Sequence, residues 1–519
     1  MSGAETGSRV PDDTPVLVGV GQVVARDPAA GCSPVELAAR AAAAALADTG
    51  ADGLPAAAID TVAAIRFFEH STRGEPMVAH PFGCSDNVPL AIARRIGAAP
   101  RTLIYADVGG HTPQRLVNRL CADLARGDCK LALIAGAEAI ATIKHALRAG
   151  LTPDWRETLG GDFIDEWGPD KLSTAYERAH GCHLPLRVYP LLEQARRHRR
   201  GLGVEAYRAE MGALFAPFSR VAAANPWAQF PVAREAQELA TPAAENYLLA
   251  EPYPKWLVAQ DAVNQGAAVL LTTAGHARRL GIAPARWVFL RAYADLDDRP
   301  VSERISLDRS LAQELVLERV LDAAGVAITD VAHVDLYSCF PIAVSSACDA
   351  LDLDWRDARP LTLTGGLPFF GGPGNNYSLH AIAEAVSRVR GGRESLALVV
   401  ANGGYLSKHS AGLYAGTPAG AWSATDCDAI ARRYAAIPSM PIAEPAPARG
   451  VVESYVVNHR KGQPASAYVA ALTENRDARF LARLHDDDAA GLAALTAGEV
   501  FGRPIDVEAG SACNHARLV

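Results

Sequence analysis

The chain has 519 residues, 49% of them apolar, and a formal charge of −8, which suits two or three cored domains and has the wrong sign to hold a phosphate backbone. Lys and Arg are scattered, no apolar run is long enough to span a bilayer, and the start MSGAETGSRVPDD is polar and acidic, so nucleic acid, an integral membrane segment and a secretory leader are not expected and a cytoplasmic protein is. The nine cysteines sit singly with no C-x-x-C pair, which argues against a disulfide framework and against a metal site.

Residues 16–23, VLVGVGQV, predict an opening strand, and SPVELAARAAAAALADTG a helix capped by Ser33 and stopped by Gly50. A second strand is expected over IDTVAAIRFF and a third in RTLIYADVGG before a glycine turn. The helix QRLVNRLCADLARGD and the continuous apolar strand KLALIAGAEA follow. That alternation predicts a parallel sheet covered on both faces. Residues 145–260 lose it and are richer in Trp, Tyr, Pro and His, which predicts a mostly helical excursion, either a wall of a substrate site or a structural insertion.

The order then recurs. LAQELVLERVLDAAGVAITDVAHVDLYSCF echoes VELAARAAAAALADTG and AIDTVAAI, while AIAEAVSRVRGGRESLALVVANGG echoes RLCADLARGDCKLALIAGAEA, so two similar α/β halves are expected. Prolines in IPSMPIAEPAPARG mark an extended linker. Beyond it, VVESYVVNH, ASAYVAALTE, ARFLARL and VFGRPIDVEA read as strands and GLAALTAG as a helix, a small antiparallel barrel of the OB type. The expected divisions are 1–285 for the first half with its excursion, 286–432 for the second half, 433–450 for the linker and 451–519 for the barrel.

Glycine-rich stretches close three of the strands: VGGHTPQ at 108–114, GGLPFFGGPGNNYSLH at 365–380 and ANGGYLSKHS at 401–410. Glycine lets backbone approach a ligand, and free amides there bind an oxyanion. One such stretch is a tight turn; three at equivalent points of a duplicated α/β fold point to a ligand site at the strand ends. Gly109, Gly110, Gly372, Asn376, Asn402, Gly403 and Gly404 are the candidate oxyanion or substrate-binding residues. VDLYSCFP at 334–341 reads as a strand entering a helix and offers Tyr337 and Cys339.

The duplicated halves, the strand NQGAAVLLT at 264–272 followed by AGHARRLGIAP, and the three late motifs resemble the thiolase superfamily. Within it they are most similar to the sterol-carrier-protein-type thiolases and their thiolase-like relatives. The tail resembles the OB-fold domain that accompanies some acyl-CoA enzymes. The resemblance implies a duplicated thiolase fold, two βαβαβαββ-type halves in five αβαβα layers. It also implies a site between the halves, with a CoA thioester as substrate or ligand and no permanently bound cofactor. Members of that superfamily are commonly dimers or larger, and here a monomer or homodimer is expected.

The family's chemistry uses a C-x-S nucleophile, a G-H-P histidine and a C-x-G acid/base. Here the first turn reads Gly109-Gly110-His111, the second Gly371-Gly372-Pro373 and the third Ala401-Asn402-Gly403, so all three catalytic residues are missing and an acyl-enzyme on a low-pKa thiolate is not expected. By the same resemblance, Tyr337 stands where the family places a residue that holds the thioester oxygen. Cys339 matches a packed rather than a nucleophilic cysteine, and Tyr377 matches a second tyrosine of steroid side-chain aldolases. His409 is the best remaining imidazole for base work, with His111 and His380 behind it. Three functions stay open: retro-aldol cleavage of a β-hydroxyacyl-CoA through Tyr337 and His409, acetyl-CoA acyltransferase chemistry on another nucleophile, and non-catalytic acyl-CoA or lipid binding.

Overall fold

The computed structural model describes residues 10–51, 54, 56–71, 81–167, 172–356 and 359–519. The chain opens with strand β1 (Pro15–Val24), and the helix Pro34–Asp48 follows, its first turn closed by the Ser33 hydroxyl accepting the Glu36 amide at 3.1 Å. β2 (Thr61–Ala64), β3 (Thr102–Tyr105) and β4 (Leu131–Ala139) come next, with the helix Thr112–Arg126 between the last two. β2 is shorter than expected. After Ala64 the backbone leaves the sheet into a 3₁₀ turn at Phe68–His70, and the buried Arg66 guanidinium satisfies the Ala106 and Tyr105 carbonyls.

The short β5 (Ile164–Asp165) pairs with β3 and covers its edge, reinforced by ion pairs Arg66–Asp165 and Arg119–Glu166. An open strand edge invites pairing with another chain, and a short strand laid along it removes that invitation. Farther on, the excursion carries the helices Ala175–Ala179, Pro185–Arg199, Val204–Ala224 and Ala236–Ala240, then β6 (Leu248–Ala250) and β7 (Tyr253–Pro254). β8 (Asn264–Thr273) then returns to the first sheet, whose order is β1-β8-β4-β2-β3-β5. The expectation of a parallel sheet holds for β4, β2, β3 and β5, whereas β8 runs antiparallel between β1 and β4.

The second sheet holds β9 (Phe289–Asp297), β10 (His333–Leu336), β11 (Leu396–Gly403) and β12 (Lys408–Ala415) in the order β10-β11-β12-β9. The helices Thr112–Arg126 and Tyr377–Gly391 lie between the sheets, where Leu116, Leu120, Ile382 and Val386 pack against residues of both. Helix Pro34–Asp48 covers the outer face of the first sheet, and helices Leu311–Ala324 and Pro341–Leu351 that of the second. The result is the five-layer αβαβα arrangement.

The C-terminal region is a closed five-strand barrel: β13 (Arg449–Arg460), β14 (Gln463–Leu472), β15 (Arg479–Leu484), β16 (Pro504–Glu508) and β17 (His515–Leu518), closing as β13-β14-β15-β17-β16-β13. Its own core is built on Val452, Tyr455, Val469, Phe480, Leu495 and Ile505. β17 has no counterpart in the sequence reading, because HARL is too short to show a strand period. β6 of the excursion extends the barrel wall by pairing Ala250 with Asn458. Among the described residues no helix is long and apolar enough to cross a membrane.

Candidate active site

A cavity of about 490 Å³ opens where the ends of the two sheets meet. β10 ends at Leu336, and Tyr337-Ser338-Cys339-Phe340 cross its mouth before Pro341 starts the next helix. The crossing is fixed on both sides: the Tyr337 amide donates to Val400 O at 3.1 Å, and the Ser338 hydroxyl accepts the Leu367 amide at 3.1 Å. Tyr337 and Cys339 both line the cavity. The Tyr337 hydroxyl makes no hydrogen bond among the described residues, and burial pushes its pKa well up, so it is a neutral phenol with a donor to spare. Burial also pushes the Cys339 thiol up to about 12, against the smaller lowering effect of its Tyr189 and Asn402 hydrogen bonds. That sulfur is a thiol near neutral pH and a poor nucleophile.

The opposite wall is backbone. Gly109 and Gly110 from the first half, and Gly372, Gly403 and Gly404 from the second, line the cavity. Gly110 has to be glycine, because the Tyr337 hydroxyl and the Asn402 carbonyl crowd the space a Cβ would take. The Gly109 amide is spent on Asn375 Oδ1 at 3.0 Å and the Gly372 amide on Gln260 O at 2.8 Å, so neither is a free oxyanion donor. Asn402 also lines the cavity, but its Nδ2 donates to the Tyr189 hydroxyl at 3.1 Å and faces Cys339 Sγ at 3.8 Å. In that orientation its unused group is the acceptor Oδ1.

Two comparisons decide what kind of protein this is. Residues 431–511 match the thiolase-like protein type 1 additional C-terminal domain. The monomeric SCP2-thiolase-like protein type 1 from Mycobacterium smegmatis is 39% identical, covering 98% of this chain and 100% of its own, with a TM-score of 0.84. The chain belongs to the SCP2-thiolase-like type 1 family. An Ltp2-ChsH2(DUF35) aldolase (18% identity, 78% of this chain and 98% of that one, TM-score 0.56) and an acetyl-CoA acetyltransferase from Syntrophomonas wolfei (15%, 78% and 99%, 0.54) share the fold. No curated protein matches significantly.

Set in this type 1 framework, several residues singled out from sequence fall away from the cavity. His409, on β12, is buried and directed at the Ser310 hydroxyl, 3.0 Å from Nε2, and burial lowers its pKa to about 4. It is on neither the cavity wall nor a path to Tyr337. His111 lies behind the glycine wall, with its Nδ1 against Gly109 and Gly403 and neither ring nitrogen bonded. Burial, then Arg115, Lys408 and His409, hold it well below the usual imidazole range. His380 is buried against Gln22, Nδ1 to Oε1 at 2.8 Å, and burial lowers it to about 3. Tyr377 is fully buried behind Tyr337, edge-on at 5.4 Å between ring centroids, and its hydroxyl is engaged by Thr364 at 2.6 Å and Asp335 at 3.3 Å. Asn376 donates to Gly136 O at 2.9 Å and ties the halves together away from the cavity.

Sequence reasoning missed Asn375, one residue earlier, which lines the cavity and donates to Arg66 O and Ser71 Oγ at 2.8 and 2.9 Å. It also missed Tyr189 and Tyr405. Tyr189 comes from the excursion, together with Leu172, Leu184 and Leu186, so that segment forms a wall of the cavity.

Proposed function

We propose that this cavity binds an acyl thioester, carried by CoA, with the thioester carbonyl at the Tyr337 hydroxyl, and that no acyl-enzyme forms. The observation that carries the reading is the unclaimed, neutral phenol of Tyr337 in a largely apolar cavity in which the one thiol among the described lining residues, Cys339, is held protonated. A phenol in low-dielectric surroundings is a strong donor to a carbonyl oxygen, and cavities of about 300–1,000 Å³ with few convergent polar groups are typical of small-ligand sites. The fold shared with an acetyl-CoA acetyltransferase supports the thioester class in this reading.

Carbon–carbon cleavage of a β-hydroxyacyl thioester is the second reading, favoured by the same free hydroxyl. It also needs a group to take the β-hydroxyl proton. His409 does not reach the cavity. Among the described lining residues the single carboxylate is Asp261, half exposed and ion-paired with Lys144 at 2.7 Å. Binding therefore stands first. Calorimetric titration with acetyl-CoA tests it: saturable heat is expected from the wild type and at least tenfold weaker binding from Tyr337→Phe. Intact-mass spectra should stay free of an acetyl adduct, and an adduct on Cys339 would restore the acyltransferase reading.

The monomeric relative and the covered β3 edge support a monomer. Light scattering on a sizing column checks this, with a dimer mass as the contrary result.

A further inference from the structure

The best-connected polar atom of the cavity belongs to the excursion. Tyr189, early in the helix Pro185–Arg199, stacks flat on Phe340 with centroids 4.1 Å apart. Its hydroxyl donates to Gly404 O at 3.1 Å and accepts from Asn402 Nδ2 at 3.1 Å and from the Leu406 amide at 3.2 Å. The Asn402 Nδ2 that it orients also reaches the Cys339 sulfur at 3.8 Å. One phenol thus ties the turn between β11 and β12 to the Tyr337–Phe340 crossing.

The same helix is clamped to the barrel within two turns of Tyr189. Leu191 O accepts from the Ser454 hydroxyl at 2.6 Å, and the Arg197 guanidinium donates to the Tyr455 hydroxyl at 3.0 Å and to Gly498 O at 2.9 Å. Between these clamps the buried Glu193 carboxylate accepts from the Tyr207 and Tyr253 hydroxyls at 2.5 and 2.7 Å. A helix held at two points transmits position to the residues beside them, because its rise and rotation per residue are narrowly set.

We propose that Tyr189 is the positioning residue of the cavity's polar end, and that the barrel, by fixing the helix that carries it, sets the orientation of Asn402 and Cys339. The barrel then completes the site from behind without contributing a wall residue to it. The inference deepens the thioester reading and rests on it for its consequence, but its first test needs no acyl ligand.

That test follows Cys339 alkylation by iodoacetamide in the full chain, read site by site by mass spectrometry at fixed pH. Tyr189→Phe keeps the ring on Phe340 and removes the acceptor that holds Asn402 Nδ2 against Cys339 Sγ, so the thiolate loses that donor and Cys339 should react about tenfold more slowly, equivalent to one pH unit. Ser454→Ala removes no cavity atom and should slow the wild type by a smaller factor, yet have no further effect in the Tyr189→Phe background, since residues acting in series are not additive. An unchanged rate in Tyr189→Phe overturns the positioning role. An equal Ser454→Ala effect in both backgrounds, or none in either, overturns the barrel's part. Should Tyr189→Phe fail to fold, Ser454→Ala alone decides: a slowed Cys339 supports the inference and an unchanged one overturns it. Acetyl-CoA titration of the same variants is a separate readout, so absence of binding in the wild type sinks the thioester reading alone.

Discussion

Replacing Gly110 by alanine puts a methyl group where the Tyr337 hydroxyl now stands. The added Cβ would overlap that oxygen and lie 2.5 Å from the Tyr337 Cζ and 2.7 Å from the Asn402 carbonyl oxygen, about 1 Å inside ordinary carbon contact. Neither neighbour yields easily. Tyr337 is anchored by its amide bond to Val400 and by edge packing on Tyr377, and Asn402 is inside β11. Overpacking of a fixed site typically costs about 1–3 kcal/mol, and backbone on one side puts this case near about 2–3 kcal/mol. The urea unfolding free energy should fall by that amount and the acetyl-CoA heat should disappear, because the displaced phenol no longer faces the cavity. Adding Tyr337→Phe removes the worst overlap but not those with the ring and with Asn402, so the pair should recover about 1 kcal/mol of stability and no binding. A Gly110→Ala protein within about 0.5 kcal/mol of wild type, the ordinary scatter of a harmless change, would refute the geometry.

His409 gives a pH dependence. Its pKa is lowered to about 4 in the folded chain by burial, against about 6.5 when unfolded, so the unfolded state takes up the proton first. Its contribution is fully present above about pH 6.5 and is lost as pH falls toward 4, by roughly 3 kcal/mol in all. The difference between wild type and His409→Gln in urea melts across that window isolates it from buried carboxyls such as Asp335, whose raised pKa slopes the other way. Arg479, fully buried, grips Glu453 through two bonds of 2.6 Å and also donates to Ser302 O at 2.9 Å. Arg479→Leu strands that carboxylate and should cost about 3–5 kcal/mol in denaturant unfolding, with Glu453→Gln recovering part of it; a loss below about 1 kcal/mol would count against the clamp.

Much of the fold was legible because its strands are buried on both faces. LALIAGAEA, now β4, has no exposed residue, and that is why it reads as a nearly unbroken apolar run. The VDLYSCF junction was legible too, since a strand running toward Pro341 must end before it, as β10 does at Leu336. Rotation about an element was not. Asn375 and Asn376 sit in one 3₁₀ turn, and nothing in the pair of identical letters says which faces the cavity. His409 pairs across the sheet with Asn402, but β12 lies one strand farther from β10, and Ser310 at the start of the next helix covers it. Tyr189 had no signal at all: the excursion has no counterpart in the other half, so the internal repeat could not align it to a site.

The barrel wall has a consequence for anyone who would cut or graft this chain. The family domain is recognised over 431–511, yet the wall is closed by β17 at His515–Leu518, past that span, and widened by β6 at Leu248–Ala250, some two hundred residues upstream. The span recognised as the family's domain and the unit that folds are therefore different lengths of chain. A transplant made at those borders would carry a barrel missing one stave, and would leave behind a host whose β6 pairs only with β7 and has lost its seat on the barrel wall.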